Sequence, residues 1–210
     1  MRAKLFPHAL LASAVLLGFA SSASAAPLLL TSSDDPTLSG SFIVDFNEEP
    51  EGDFYSRTFG EDAVTFTAMG RPLEISSVHT GDYGATGNYL ANARGGNAFT
   101  LVFENPVSAF GFNWGGADQA WTMNLYDADG LAIGSLNIAG QLDPFVGFIG
   151  AYSNTRSIKT VEMFPGAYDY MILDDLRFVP AQASAVPEPA TLALLGVGLV
   201  GLGALRRRKN

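Results

Sequence analysis

Two segments of the sequence combine aromatic rings with polar side chains, a combination suited to sugar recognition. Residues 114–121 place Asp118 between two tryptophans, and residues 81–89 end in Asn88 and Tyr89. An exposed aromatic ring can stack on the apolar face of a sugar, while amides and carboxylates at its edge bind the hydroxyl groups. The candidate ligand-binding residues are therefore Trp114, Asp118, Asn88 and Tyr89.

The two tryptophans also have a structural interpretation. Large aromatic side chains commonly fill the core of a β-rich domain, where they bury much apolar surface. The pattern favours the core for Trp121 and leaves both alternatives open for Trp114. A ligand-binding role for Trp114 requires its indole to be exposed.

Carboxylates on the first and last strands of the domain form a candidate calcium site. Calcium takes roughly six to eight oxygen ligands, and extracellular sites can be weak. The first and last strands of a sandwich are often neighbours, which would bring Asp45 and Glu48 towards Asp174. The alternative is that these acids cap turns and face solvent. A structural calcium is the only cofactor that we consider.

Nucleophilic catalysis has little support in the sequence. The chain has no cysteine, His79 is the only histidine beyond the N-terminal segment, and no Gly-x-Ser-x-Gly motif occurs. We expect His79 to be a surface residue. Acidic residues are abundant, but no pair suited to glycoside cleavage stands out. We expect a protein that is not an enzyme.

The elements that carry these residues are predicted to be strands. Short runs with a period of two follow one another, as in Trp121, Met123 and Leu125, and no segment between Ser41 and Val179 has helical periodicity over ten residues. We predict an all-β domain over residues 41–180, an antiparallel two-sheet β-sandwich of about nine strands with a jelly-roll-like arrangement. Residues 26–40 are predicted to be a mobile lead-in, and residues 181–186 a linker.

The charge of the chain is unevenly distributed. All 21 acidic residues lie between Asp34 and Glu188, whereas six of the 12 cations lie in the two terminal segments. The central domain is therefore strongly acidic and would repel nucleic acid. We expect no nucleic-acid partner.

The first 25 residues have the form of a secretory signal. Arg2 and Lys4 precede an apolar run, and Ala23, Ser24 and Ala25 supply small residues at a cleavage site. We predict cleavage by signal peptidase after Ala25 and a signal helix over residues 1–25.

The last residues form three parts in a fixed order. A Val-Pro-Glu-Pro motif is followed by 16 residues without charge, predicted to be a hydrophobic helix, and then by a basic cluster. Such a helix spans roughly 24 Å, less than the bilayer core of about 30 Å. The residues that carry this pattern are Val186, Pro187, Glu188, Pro189, Arg206, Arg207, Arg208 and Lys209.

This ending, over residues 187–210 with Val186 before it, resembles the PEP-CTERM sorting tag of Gram-negative bacteria. The resemblance implies recognition by a membrane-embedded exosortase, cleavage near the Pro-Glu-Pro motif, a transient stay at the inner membrane and release to the cell surface or extracellular matrix. The alternative is an ordinary C-terminal membrane anchor.

The series of strands and turns between Asn105 and Leu176 is similar to exported jelly-roll domains that precede this tag, and through them to carbohydrate-binding modules. That resemblance implies a non-catalytic module associated with extracellular polysaccharide, as in a biofilm matrix. Two alternatives stay open: a secreted polysaccharide hydrolase, and a structural coat protein without a ligand.

Overall fold

The computed structural model describes residues 25–61, 63–92, 95–140 and 146–182. The predicted signal helix and the predicted C-terminal helix lie outside these ranges. Thirteen strands and a short 3-10 helix (Pro36–Leu38) make up the described chain. The strands are β1 (Leu28–Leu30), β2 (Phe42–Val44), β3 (Gly52–Phe54), β4 (Ser56–Phe59), β5 (Val64–Met69), β6 (Leu73–Ser76), β7 (Tyr89–Ala91), β8 (Ala98–Gly115), β9 (Trp121–Tyr126), β10 (Ala132–Ile138), β11 (Val146–Tyr152), β12 (Ile158–Pro165) and β13 (Ile172–Pro180).

The all-β prediction is confirmed, and the period-two runs explain why. In β9 the side chains of Trp121, Met123 and Leu125 are buried, while the residues between them are partly exposed. β10 pairs with β9 across the turn that contains Gly130. No helix among the described residues has the length and apolar character needed to cross a membrane.

Strand β8 joins the two halves of the sheet. Its first half pairs with β5 and β12, and its second half pairs with β11 and β13, always antiparallel. The sheet is therefore continuous, whereas the sequence predicts two separate sheets. The difference arises because β8 runs for 18 residues through Asn105 and Pro106, where a strand end would be expected.

The two halves of this curled sheet enclose one core. Phe103, on the first half of β8, lies 5.5 Å from Phe110 on the second half and 5.6 Å from Phe178 on β13, between ring centroids. Trp114 and Trp121 meet edge to face at 5.2 Å. These contacts hold the facing halves together, because aromatic pairs bury large areas in a favoured geometry.

The predicted lead-in, residues 26–40, packs on the sheet instead of being mobile. β1 pairs with β11, and the side chains of Leu30 and Leu38 are buried against Ala109 and Phe148. Asp35 caps the 3-10 helix by accepting a hydrogen bond from the Thr37 amide. Burial of the two leucines outweighs the turn-forming residues between them.

The long strands of the second half run between two ends of the fold. At one end, which we call the upper end, Gly115 pairs with both Val146 and Ile172. At the other, the lower end, β11 finishes at Tyr152 and β13 at Pro180. The upper end carries the site described next.

Candidate functional site

An open pocket of about 340 Å³ lies at the upper end of the fold. Three loops contribute to it: one before β7, one after β8 and one before β13. We call it the tyrosine pocket. It is lined by His79, Tyr83, Gly116, Asp118, Tyr168, Asp169 and Tyr170.

The two segments chosen from the sequence meet in this pocket. Tyr83 comes from residues 81–89, and Asp118 comes from residues 114–121. Their approach requires a glycine at position 115, since a Cβ atom there would lie 2.1 Å from the carbonyl oxygen of Tyr83. The absence of a side chain at Gly115 therefore lets the first loop close over the end of β8.

Tyr168 offers the most exposed aromatic ring of the pocket. The residue is 71% exposed, and its ring lies against the turn at Gly95 and Gly96. A Cβ atom at Gly95 would lie 2.5 Å from the ring carbon Cζ. The ring is thus supported by backbone while much of it faces solvent.

Asp169 is the buried hub that holds the pocket loops. Its Oδ2 accepts a hydrogen bond from the Trp121 indole at 2.6 Å and another from the Gln119 amide at 3.3 Å. Its Oδ1 accepts from the amides of Asp118 and Tyr170, at 3.2 and 2.9 Å. Burial raises the pKa of Asp169 above its ordinary value, and the hydrogen bond from Trp121 opposes that rise.

Asn92 ties the third loop to the chain after β7. Its Nδ2 donates to the carbonyl oxygen of Asp169 at 2.9 Å, and its Oδ1 accepts from the Met171 amide at 2.7 Å. The same Asp169 carbonyl accepts from the Gly96 amide at 2.7 Å. Asn92 is fully buried, so these bonds fix the turn beneath Tyr168 to the loop that bears it.

The remaining pocket side chains are His79, Tyr170 and Asp118. The His79 ring meets Tyr83 edge to face at 5.7 Å and Tyr170 at 6.5 Å. The Tyr170 hydroxyl bonds to Glu74 at 3.1 Å, and burial raises the pKa of Tyr170. Asp118 is exposed, and its Oδ1 accepts from Gln119. The pocket therefore offers aromatic faces, hydroxyl groups and one exposed carboxylate.

Three aromatic residues of the two segments are buried. Trp114 and Trp121 are each 1% exposed, and Tyr89 is fully buried with its hydroxyl accepting from the His79 amide at 3.1 Å. Of the two alternatives left open for Trp114, the structure shows the core position, and neither Trp114 nor Tyr89 presents an exposed ring to a ligand. Both rings are drawn into the interior because core packing buries more of their surface than a loop can.

Asn88 has a structural partner outside the pocket. Its Nδ2 donates to the carbonyl oxygen of Glu49 at 2.9 Å, and its backbone amide donates to Oδ1 of Asn47 at 3.1 Å. Asn88 thus ties the loop before β7 to the chain after β2, and it does not line the tyrosine pocket.

The three carboxylates considered for calcium are placed differently from one another. Asp45 and Glu48 are exposed, and Asp45 bonds to Asn47. Asp174 is fully buried and accepts hydrogen bonds from Thr86 and from the Asp175 amide. Across the described part of the chain, no group of three His, Cys, Asp or Glu side chains could hold a metal ion. Calcium stays a prediction.

The loop before β13, which supplies three of the seven lining residues, was not predicted from the sequence. Tyr168, Asp169 and Tyr170 are not among the candidate residues named from the sequence, and His79 is predicted only to lie at the surface. The available signal is the alternation of tyrosine, aspartate and tyrosine directly after Gly166 and Ala167, between β12 and β13. Such a segment is typical of a polar loop that retains aromatic rings.

Three solved structures illustrate the similarity of this fold to known proteins. The carbohydrate-binding module TmCBM61, in complex with β-1,4-galactotriose, is 16% identical, with a TM-score of 0.38 over 56% of this chain and 88% of that one. CsCBM6-3 from Clostridium stercorarium, in complex with cellobiose, is 14% identical, with a TM-score of 0.36 over 61% and 95%. The enzymatically active domain of tailspike protein 4 from bacteriophage CBA120 is 9% identical, with a TM-score of 0.40 over 58% and 20%. Similarity at this level supports no assignment of ligand or activity.

No curated protein matches the chain in sequence. Residues 185–209, however, match the PEP-CTERM protein-sorting motif. The match includes every residue from Val186 to Lys209 that is predicted to carry the tag, so that prediction is confirmed. The chain thus carries a PEP-CTERM sorting motif, which indicates an exported protein that is processed at the membrane.

Proposed function

We propose that the exported domain is a non-catalytic glycan-binding module whose ligand occupies the tyrosine pocket. The observation that carries this proposal is Tyr168, an exposed ring supported from behind by the Gly95–Gly96 turn. A ring held in this way can stack on the apolar face of a sugar without first losing much conformational freedom.

The polar groups around Tyr168 supply the other half of the recognition. Asp118 accepts hydrogen bonds from sugar hydroxyls, while Tyr83 and His79 contribute further aromatic lining. Asp169 and Asn92 do not reach for the ligand but keep the loops in place through the bonds described above. Such preorganisation lowers the entropic cost of binding.

The carboxylates of the pocket favour binding over hydrolysis. A glycosidase needs two carboxyl groups that act on opposite sides of the scissile bond. Both oxygens of Asp169 already accept hydrogen bonds from the protein, and Asp169 is only 3% exposed. In addition to burial, the Asp118 side chain helps to raise the pKa of Asp169, so the two carboxyl groups are direct neighbours and do not lie on opposite sides of a ligand.

Delivery follows from the two terminal segments. We propose that signal peptidase cleaves after Ala25, that an exosortase recognises the Pro187–Pro189 motif at the inner membrane of a Gram-negative bacterium, and that the domain reaches the cell surface or a polysaccharide matrix. The matched sorting motif supports this route.

Glycan binding by the exported chain tests the proposal. Neutral and acidic polysaccharides are screened on an array, and the best ligand is titrated by calorimetry against the wild type and Tyr168→Ala. We expect the substitution to weaken binding about 30-fold, equivalent to about 2 kcal/mol, because a central aromatic contact is lost.

Tyr55→Ala is the matched control, since Tyr55 is 63% exposed and lies outside the pocket. Equal affinity of the two variants would contradict the assignment of the site. Release of reducing sugar from the bound polysaccharide would contradict the non-catalytic assignment.

A further inference from the structure

The lower end of the fold holds a second and larger cavity, an open groove of about 660 Å³. Hydroxyl and amide side chains dominate its walls, and Arg156 is the only Lys or Arg among the lining residues. Arg156 is paired with Asp127 and so contributes little free charge. What distinguishes the groove is its position relative to both terminal segments.

Both boundaries of the exported domain lie at this groove. On the N-terminal side, the carbonyl oxygen of Ala25 accepts a hydrogen bond from the Thr155 hydroxyl at 3.4 Å, and Thr155 lines the groove. On the C-terminal side, the Ala181 amide donates to Pro106 at 2.9 Å, and Gln182 lines the groove as well. The predicted signal-cleavage site and the exit towards the sorting motif are therefore neighbours.

The tyrosine pocket lies at the far end of the same strands. β13 begins at Ile172, two residues after Tyr170 of the pocket, and finishes at Pro180 in the groove wall. Eight residue steps along a strand cover about 26 Å. The pocket and the groove are thus separated by most of the length of the domain.

The chain between Gln182 and the start of the motif is too short to cancel this separation. The sorting motif begins at residue 185, three residues beyond Gln182. Three residues of fully extended chain reach at most about 11 Å. Whatever path those residues take, the motif begins nearer to the groove than to the pocket.

We propose that the lower end faces the membrane while the chain is held there by its C-terminal segment, so that the tyrosine pocket faces away from the bilayer. The surface next to the bilayer, and to the enzyme that reads the motif, is then the groove end. The pocket is open to a soluble glycan before the chain is released. This orientation does not depend on what the pocket binds.

Energy transfer to the membrane tests the orientation. Because the chain has no cysteine, single cysteines can be labelled with a donor dye without background. Asn154→Cys places the dye at the lower end and Val78→Cys at the upper end, both on exposed residues. The full-length chain is reconstituted in phosphatidylcholine vesicles that contain an acceptor-labelled lipid and no processing enzyme. We expect transfer from position 154 to be several-fold stronger than from position 78.

A second pair of cysteine variants controls for a local effect of either substitution. Asp129→Cys lies in the turn after β9 at the lower end, and Asp82→Cys lies in the loop of the tyrosine pocket. Removal of residues 183–210 should abolish transfer in all four variants. Equal or reversed transfer in either pair would overturn the orientation, whether or not a glycan binds.

Discussion

The upper and lower ends of this domain are held together by different kinds of interaction. At the upper end, Asn92, Asp169 and Asp174 are almost completely buried, and each makes several hydrogen bonds to loop backbone or side chains. At the lower end, the Arg156–Asp127 pair keeps part of its surface in contact with solvent. Buried polar groups hold loops in one geometry, because a buried group that loses its hydrogen-bond partner costs free energy. Solvated ion pairs contribute little to stability.

This contrast matches the roles that we propose for the two ends. The upper end also holds the strained backbone of Tyr83 and Asp175, with φ of 52° and 50°. A binding pocket needs loops in one conformation, and buried hydrogen bonds supply that restraint. The lower end leads to the C-terminal segment, so it needs only to remain soluble and to let the chain leave the domain.

Loss of the Asp169 carboxylate should give the largest effect. Asp169→Ala leaves the Trp121 indole and three backbone amides without their acceptor, so we expect the free energy of unfolding to fall by about 3 kcal/mol or more. Arg156→Ala at the lower end should cost about 1 kcal/mol or less. Urea denaturation of both variants measures the difference. A larger loss for Arg156→Ala would refute the contrast between the ends.

Two glycine substitutions, one at each end, should have smaller effects on stability and allow a more direct comparison. At Gly115 a new Cβ would meet the Tyr83 carbonyl, so Gly115→Ala should cost about 2 kcal/mol and should also weaken binding in the pocket. At Gly130, in the turn at the lower end, φ is 75° and no atom lies within 4 Å of the new Cβ. Gly130→Ala should cost about 1 kcal/mol from backbone strain alone.

Stability and glycan affinity are measured for both glycine variants. The expectation is that only Gly115→Ala changes the affinity. A change in affinity for Gly130→Ala, or none for Gly115→Ala, would show that the pocket does not depend on the close approach of Tyr83.

The last prediction concerns the pH dependence of stability and Asp174. Burial raises the pKa of Asp174 from 3.8 to about 6, so the folded chain binds this proton more tightly than the unfolded chain does. The free energy of unfolding should therefore decrease as pH rises between those two values. Thermal melts from pH 4 to pH 7 should show a shallower decline for Asp174→Asn than for the wild type. The pKa of Asp169 is raised as well, so some decline should persist in the variant; identical slopes would contradict the prediction.

The strands were predictable from sequence to the extent that their signal is local. The alternation in β9 and the turn at Gly130 identify the hairpin without any knowledge of its neighbours. The continuity of β8 was not predictable, because a proline normally marks the limit of a central strand. The packing of the lead-in depends on contacts of Leu30 and Leu38 with strands more than 70 residues away.

The candidate site likewise has features that the local sequence predicts and features that depend on packing. Composition alone identified the two loops that contribute Tyr83 and Asp118, but it could not decide which rings stay exposed. Trp114 precedes Gly115 and Tyr168 lies two residues after Gly166, and only the packing buries one ring and leaves the other in solvent. Asp169 acquires its role through Trp121, which lies 48 residues earlier in the chain.

The sequence by itself determined the sorting motif, the all-β class and the acidic character of the domain, because each depends on residue order or composition over short stretches. The tertiary structure alone decided that one long strand joins both halves of the sheet, that Tyr168 rather than Trp114 faces solvent, and that the pocket lies opposite the exit towards the tag. These features depend on which distant parts of the chain pack against one another. That packing is decided by the sum of many small contacts, which no local sequence pattern encodes.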